Sequence, residues 1–134
     1  MDPTLAVQAA VVAALKADAP LAAIVGAKVY DRVPPTVVPP YCMLSGWQEI
    51  DDGTDCMDAS EVAFDVQCFS TAVGRPECAR IAGAVKKALN RLRPAATDHT
   101  NVEIQHTSTV YFTETDNLTS RAVVSFRALV DSAS

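Results

Sequence analysis

The chain has 134 residues, of which 49% are apolar and 20% charged, and its formal net charge is −5. That length fits one domain able to bury roughly two thirds of the surface its unfolded form exposes, so its core needs neither a metal nor a disulfide staple. No apolar run approaches the roughly 20 residues of a membrane helix, and the acidic balance argues against a protein that grips phosphate backbones over a broad surface.

At the N-terminus, Asp2 as N-cap and Pro3 as first helical residue predict a helix to about Lys16 or Ala17. Asp2-Pro3 leads straight into Leu5-Ala6-Val7, with no basic region or cleavage site, so a secreted protein is not expected. Beyond the first turn Gln8 and Lys16 are the only polar residues, against Leu5, Val7, Val11, Val12, Leu15 and a run of alanines. Such a helix is either buried on more than one side, with a second chain over its outer side, or alanine-rich because alanine is a strong helix former. A second short helix is predicted from Pro20 through Leu21, Ile24 and Val25 to a stop at Gly26, and Val29-Tyr30 can add a short strand. Across 33–40, Pro34, Pro35, Pro39 and Pro40 forbid a central strand or helix and predict a stiff extended arm. The prolines are not spaced as PxxP, so a connector is expected in preference to an SH3 ligand.

Tyr41 to Ile50 and Ser60 to Ser70 read as strands. In the second, Val62, Phe64, Val66 and Cys68 alternate with Glu61, Asp65 and Gln67, which gives one face to the core and one to solvent or a partner. Between them, 51–58 is an acidic hairpin loop carrying Asp51, Asp52, Asp55 and Asp58. Arg75-Pro76-Glu77 opens a helix to about Leu92, with Ile81, Ala82, Val85, Ala88, Leu89 and Leu92 as its apolar stripe. Lys86, Lys87, Arg91 and Arg93 load its C-terminal end with positive charge, as the helix dipole favours, and Pro94 ends it. Asn101 to Phe112 and Leu118 to Asp131 are the last two strands, joined through the polar break Glu114-Thr115-Asp116-Asn117. From Ala122 on, Val124, Phe126, Ala128 and Val130 form an apolar row while Arg121, Ser125 and Arg127 face the other way, with Leu129 interrupting the polar row. The order α-α-β-β-α-β-β predicts an α+β fold: a four-stranded antiparallel sheet with helices packed on one face.

Catalytic constellations are scarce. Cys42, Cys56, Cys68 and Cys78 are spaced 14, 12 and 10 apart, without a C-x-x-C pair, so buried thiols are expected in place of a metal site or disulfides. His106 falls in phase with Val102, Ile104, Val110 and Phe112 and reads as a partly buried strand histidine; His99 lies in a loop. There is no nucleophile elbow and no glycine-rich phosphate loop. The acidic loop offers oxygen ligands for calcium or magnesium but lacks EF-hand spacing, and a solvated loop is expected. The basic helix carries no interleaved aromatics for nucleic-acid binding, and the sequon Asn117-Leu118-Thr119 reads as a chance match.

The chain resembles the small tail-completion proteins of tailed phages, relatives of tail terminators. The resemblance rests on Leu5 to Leu15, then Leu21-Ala22-Ala23-Ile24-Val25-Gly26 and Val29-Tyr30-Asp31-Arg32-Val33-Pro34. It continues through Pro40-Tyr41, the Ala79 to Leu89 helix, Tyr111-Phe112, Asp116-Asn117-Leu118-Thr119-Ser120-Arg121 and Phe126-Arg127-Ala128-Leu129. It covers about Leu5 to Val130, with Asp116-Asn117 standing where such proteins usually have Asp-Gly. The resemblance implies a single domain over 1–134 that acts as a structural virion protein of a phage, prophage or gene transfer agent, assembled in the bacterial host cytoplasm. It implies a homo-oligomeric ring, commonly a hexamer in such relatives, that caps the head-proximal end of the tail tube and meets the tube protein and the head connector. DNA would pass through the lumen without specific binding, and no membrane, cofactor, metal or catalysis is expected. A closed ring repeats one heterologous interface, so two unlike patches must match. The candidates are Leu5 and Val12 of the first helix with Pro34 and Pro35 of the arm, the loop residues Asp51, Asp52 and Asp55, and Arg121 and Arg127 on the outer face of the sheet. A neck or head-completion protein of the same particle is the near alternative. A hydrolase using Cys56, His99 or the aspartate loop is the remote one.

Overall fold

The computed structural model describes residues 2–51, 59–96, 99–114 and 118–132. Helix α1 (Pro3–Ala17) starts where Asp2 accepts a hydrogen bond from the Thr4 amide. It stops at Asp18, whose own carboxylate accepts from Leu21 N at 3.0 Å and so caps the next helix, α2 (Ala19–Val25). One aspartate thus turns the chain through 78° between two helices, because it satisfies an orphan amide that the start of α2 leaves free. Gly26 ends α2 with φ +62°, a conformation that glycine adopts without strain.

The sheet has five strands in the order β1-β2-β3-β5-β4: β1 (Val29–Tyr30), β2 (Tyr41–Asp51), β3 (Ala59–Ser70), β4 (His99–Thr113) and β5 (Ser120–Ser132). The four long strands pair antiparallel, but β1 lies parallel to β2 with Val29 opposite Cys42, so the sheet is mixed and not the purely antiparallel four-stranded one that the sequence predicts. Two residues are too few to show a period, which is why the fifth strand leaves no firm signal. Residues 31–40 make the crossover that a parallel pair requires. Within it Val37 N bonds Pro34 O, and Lys28 Nζ donates to Val38 O at 3.0 Å, tying the segment back to the start of β1.

Helices α1 and α3 (Pro76–Leu89) cover one face of the sheet. Between the layers lie Val7, Val11 and Leu15 of α1, Ile81, Val85 and Leu89 of α3, and the inward rows Val62, Phe64, Val66 and Cys68 of β3 and Ala122, Val124, Phe126, Ala128 and Val130 of β5. The alternating pattern of the sequence is therefore the physical cause of the two-layer architecture: each strand buries one row and leaves the other to solvent.

Helix α3 ends at Leu89, three residues before the predicted Leu92. Asn90 leaves the helical region (φ −65°, ψ 125°) and Arg91 takes φ +65°. The backbone then pairs with the edge of the sheet: Arg91 N donates to Ile104 O at 2.7 Å and Ile104 N to Leu92 O at 2.9 Å. The Asn90 side chain accepts from His106 N at 3.0 Å. This short segment covers part of β4, an edge strand that would otherwise expose its hydrogen-bonding groups.

Candidate assembly interface

The face of the sheet away from the helices carries the outward rows of four strands. Its middle is polar, and the polar groups are bonded to each other across strands. Gln67 donates to Ser45 Oγ at 2.8 Å and accepts from Arg121 Nη1 at 3.2 Å. Arg121 Nε also lies 2.7 Å from Glu114 Oε1. Ser125 donates to Asp65 Oδ1 at 2.7 Å. Arg127 bridges Glu61 at 3.2 Å and Gln105 at 3.0 Å, while Glu103 pairs with Arg93 at 3.1 Å. Most of these pairs span neighbouring strands, where opposite partners add modest stability, while Arg93 reaches Glu103 from the segment after α3 and Glu114 follows the end of β4. They hold long side chains in one arrangement, which lowers the entropy cost of covering them.

Apolar groups flank this lattice. At one end of the sheet Tyr41 stacks on Phe69 at 4.8 Å, and Tyr30 meets Tyr41 edge-on at 6.4 Å. Along β4, Val110 and Phe112 are 48% and 43% exposed, and Leu129 on β5 is 36% exposed. The sequence places Val110 and Phe112 in phase with the inward Val102 and Ile104; the structure places them outward. The register slips between His106 and Ser108, so that Val110 pairs with the outward Val123 and Phe112 with Arg121. A β-bulge at Thr107 inserts one residue and exchanges the two faces of the strand beyond it. Tyr111 accordingly turns to the helix side, where the Arg75 guanidinium lies 5.0 Å from its ring centre, while Arg121 lies 4.6 Å from that of Phe112. Both are cation–π distances. Gly74, Arg75, Tyr111, Phe112 and Arg121 line a cleft of about 270 Å³ at this end of the hairpin.

The other sequence candidates are scattered. Leu5, 54% exposed, stands on the outer side of α1 beside Ala9 and Ala13, and Val12 packs half-buried against the core. Pro34 and Pro35 are exposed in the crossover. Asp51 ends β2, and Asp52, Asp55, Cys56 and Asp58 lie outside the described residues, as do Asp116 of the hairpin turn and Asn117 of the sequon. Arg121 and Arg127 stand on one face, joined through the lattice to Glu61, Gln67, Gln105 and Glu114. Those partners escape a reading of the sequence because their roles depend on strand register. Only the outward alternation of β3 and β5 hinted at them.

Among the described residues, contact and burial shift the titration of two thiols and one imidazole. The buried Cys68 thiol is pushed well up, first by its contact with Cys42 and then by burial, and burial pushes the Cys78 thiol up to about 11. A protonated thiol is a poor nucleophile. Burial holds the His106 imidazole below its usual pKa, helped by nearby Lys86, and its Nε2 lies 2.7 Å from Thr109 Oγ1.

Helices on one face of a mixed sheet, and on the other face cross-bonded polar groups rimmed by aromatic and aliphatic side chains, define a two-layer α+β domain with one sheet face left uncovered. Residues 9–131 match the tail completion protein gp17 family, and the chain belongs to that family. It is therefore a structural component of the tail of a virion or phage-like particle. Among solved structures it is similar to a chain of a virion of a native gene transfer agent particle. The two share 28% identity at a TM-score of 0.89, over 98% of this chain and 99% of that one. No curated protein matches it.

Proposed function

We propose that this protein is a tail terminator: copies form a ring, a hexamer in our reading, that caps the head-proximal end of the tail tube and joins it to the head connector. The observation that carries this is family membership over 9–131 together with the nearly end-to-end correspondence to a chain of a gene transfer agent virion. Two unlike surfaces support a ring built by repeating one heterologous contact. One is the outer side of α1 at Leu5 with the crossover at Pro34 and Pro35. The other is the open face of the sheet around Arg121, Arg127, Val110 and Leu129. The acidic stretch 51–58 of the sequence adds negative charge that repels DNA phosphates and keeps a passing duplex from sticking. The protein works by contact and not by reaction, a reading that the protonated thiols of Cys68 and Cys78 support.

The test is removal of the protein from particle assembly. Over-long tails without attached heads are expected, and imaging of intact particles should place the ring between tube and connector. Normal tails in its absence, or a strictly monomeric protein even when tube protein is present, would sink the proposal.

A further inference from the structure

Two of the buried thiols form a pair that the proposed assembly does not use. Cys42 on β2 sits directly opposite Cys68 on β3, and their sulfur atoms are 4.0 Å apart. Cys42 N donates to Lys28 O at 2.9 Å, so its backbone polar groups point toward β1 and away from β3. Cys42 and Cys68 are therefore a non-hydrogen-bonded pair, the closer of the two antiparallel arrangements, with Cα atoms about 4.5 Å apart. A disulfide spans Cα separations of about 4.4–6.8 Å and needs the sulfurs at about 2.05 Å. Side-chain rotation alone can close the gap. The third thiol, Cys78, rests 3.6 Å from the Cys68 carbonyl oxygen, a contact with backbone.

We propose that Cys42 and Cys68 are an oxidation site: they close to a cross-strand disulfide when the folded protein leaves the reducing cytoplasm. The oxidant is a small-molecule disulfide. Cys42 lies beside the short β1, whose two residues make up the strand pairing on that side of β2 among the described residues, so opening there exposes it first. Its thiolate attacks the small disulfide and displaces one thiolate. Cys68 then displaces the second from the Cys42 sulfur, forming the Sγ–Sγ bond. Two protein thiols are oxidised, one disulfide is reduced to two thiols, and the two protons end on those leaving groups. The bond would tie β2, with β1 and the crossover that it carries, to the central strand β3, and stabilise the particle in an oxidising medium.

The experiment uses the full chain with oxidised glutathione in two arms: folded protein held a few degrees below its thermal midpoint, and denatured protein refolded by dilution. Mass spectrometry with non-reducing peptide mapping should show, in both arms, a species two hydrogens lighter with Cys42 linked to Cys68. Its thermal midpoint should rise by about 5 °C or more, and dithiothreitol should reverse the gain. Cys42→Ser should abolish the species, and Cys42→Val, which keeps the packing apolar, should do the same in a folded protein. Thiols that stay free in both arms, a Cys68 to Cys78 linkage, or a bond that lowers the midpoint would overturn the proposal. Linkage in the refolded arm alone would overturn it for the native protein.

Discussion

Gly46 shows how tightly the open face is fitted. It sits at φ +68°, and a Cβ built there would lie 2.7 Å from Asp65 Oδ2. The carboxylate cannot simply swing away, because Ser125 holds its other oxygen. Gly46→Ala therefore meets both a left-handed backbone and a clash. We expect it to lower stability by about 1–3 kcal/mol, read as a shifted urea midpoint at unchanged slope. Arg127→Met should behave in the opposite way. Its ion pair with Glu61 is partly solvated, the two side chains being 48% and 22% exposed, and surface pairs contribute about 0–1 kcal/mol, so the monomer should keep its melting temperature nearly unchanged while assembly weakens. His106 supplies a pH dependence whose sign follows from its lowered pKa. The unfolded chain takes up a proton near the ordinary value while the folded chain resists, so below about pH 6.5 the unfolded state binds more protons and stability falls. Thermal midpoints from pH 8 to pH 5 should drop more steeply for the native protein than for His106→Gln. Parallel curves would mean that burial of the ring is not coupled to folding.

Among the elements, the join between α1 and α2 is the one most dependent on a single side chain. Asp18→Ala removes the bond to Leu21 N, and loss of such a cap costs about 0.5–2 kcal/mol. Denaturant titration should show that loss, and Asp18→Asn, which keeps an acceptor, should restore most of it. Most of the elements were legible in the chain: Asp2-Pro3 for α1, Gly26 for the end of α2, and the two-residue alternation of β3 and β5. These signals are local, because caps and periods act through neighbours in sequence. The end of α3 was not legible, since the apolar stripe runs on through Leu92 and only the competing edge of β4 draws residues 90–92 out of the helix. Nor was the bulge at Thr107, which no proline or glycine marks. The apolar margin of the candidate surface along β4 depends on it, because Val110 and Phe112 are outward only on the far side of that slip. Arg121 and Arg127 could be placed on the outer face from alternation alone, whereas Glu61, Gln67, Gln105 and Glu114 became their partners only through pairing register.

For the whole molecule, the division of labour between the two faces makes a separable prediction. The helix-covered face holds nearly all the buried apolar side chains and so carries stability, while the open face contributes little burial until another chain covers it. Val110→Lys with Leu129→Lys changes two exposed positions, and the second lysine stands opposite Glu103 in the register, where opposite charges are tolerated. The double variant should therefore fold with an unchanged circular dichroism spectrum and a melting temperature within a few degrees of the native protein. Desolvating two lysines against a neighbour is unfavourable, so the same variant should fail to join particles when supplied in place of the native chain, and size-exclusion chromatography with tube protein should show it uncomplexed. A variant that is folded and still incorporated would move the contact surface to α1 and the crossover. A variant that unfolds would mean that the open face supports the monomer and is not reserved for a partner.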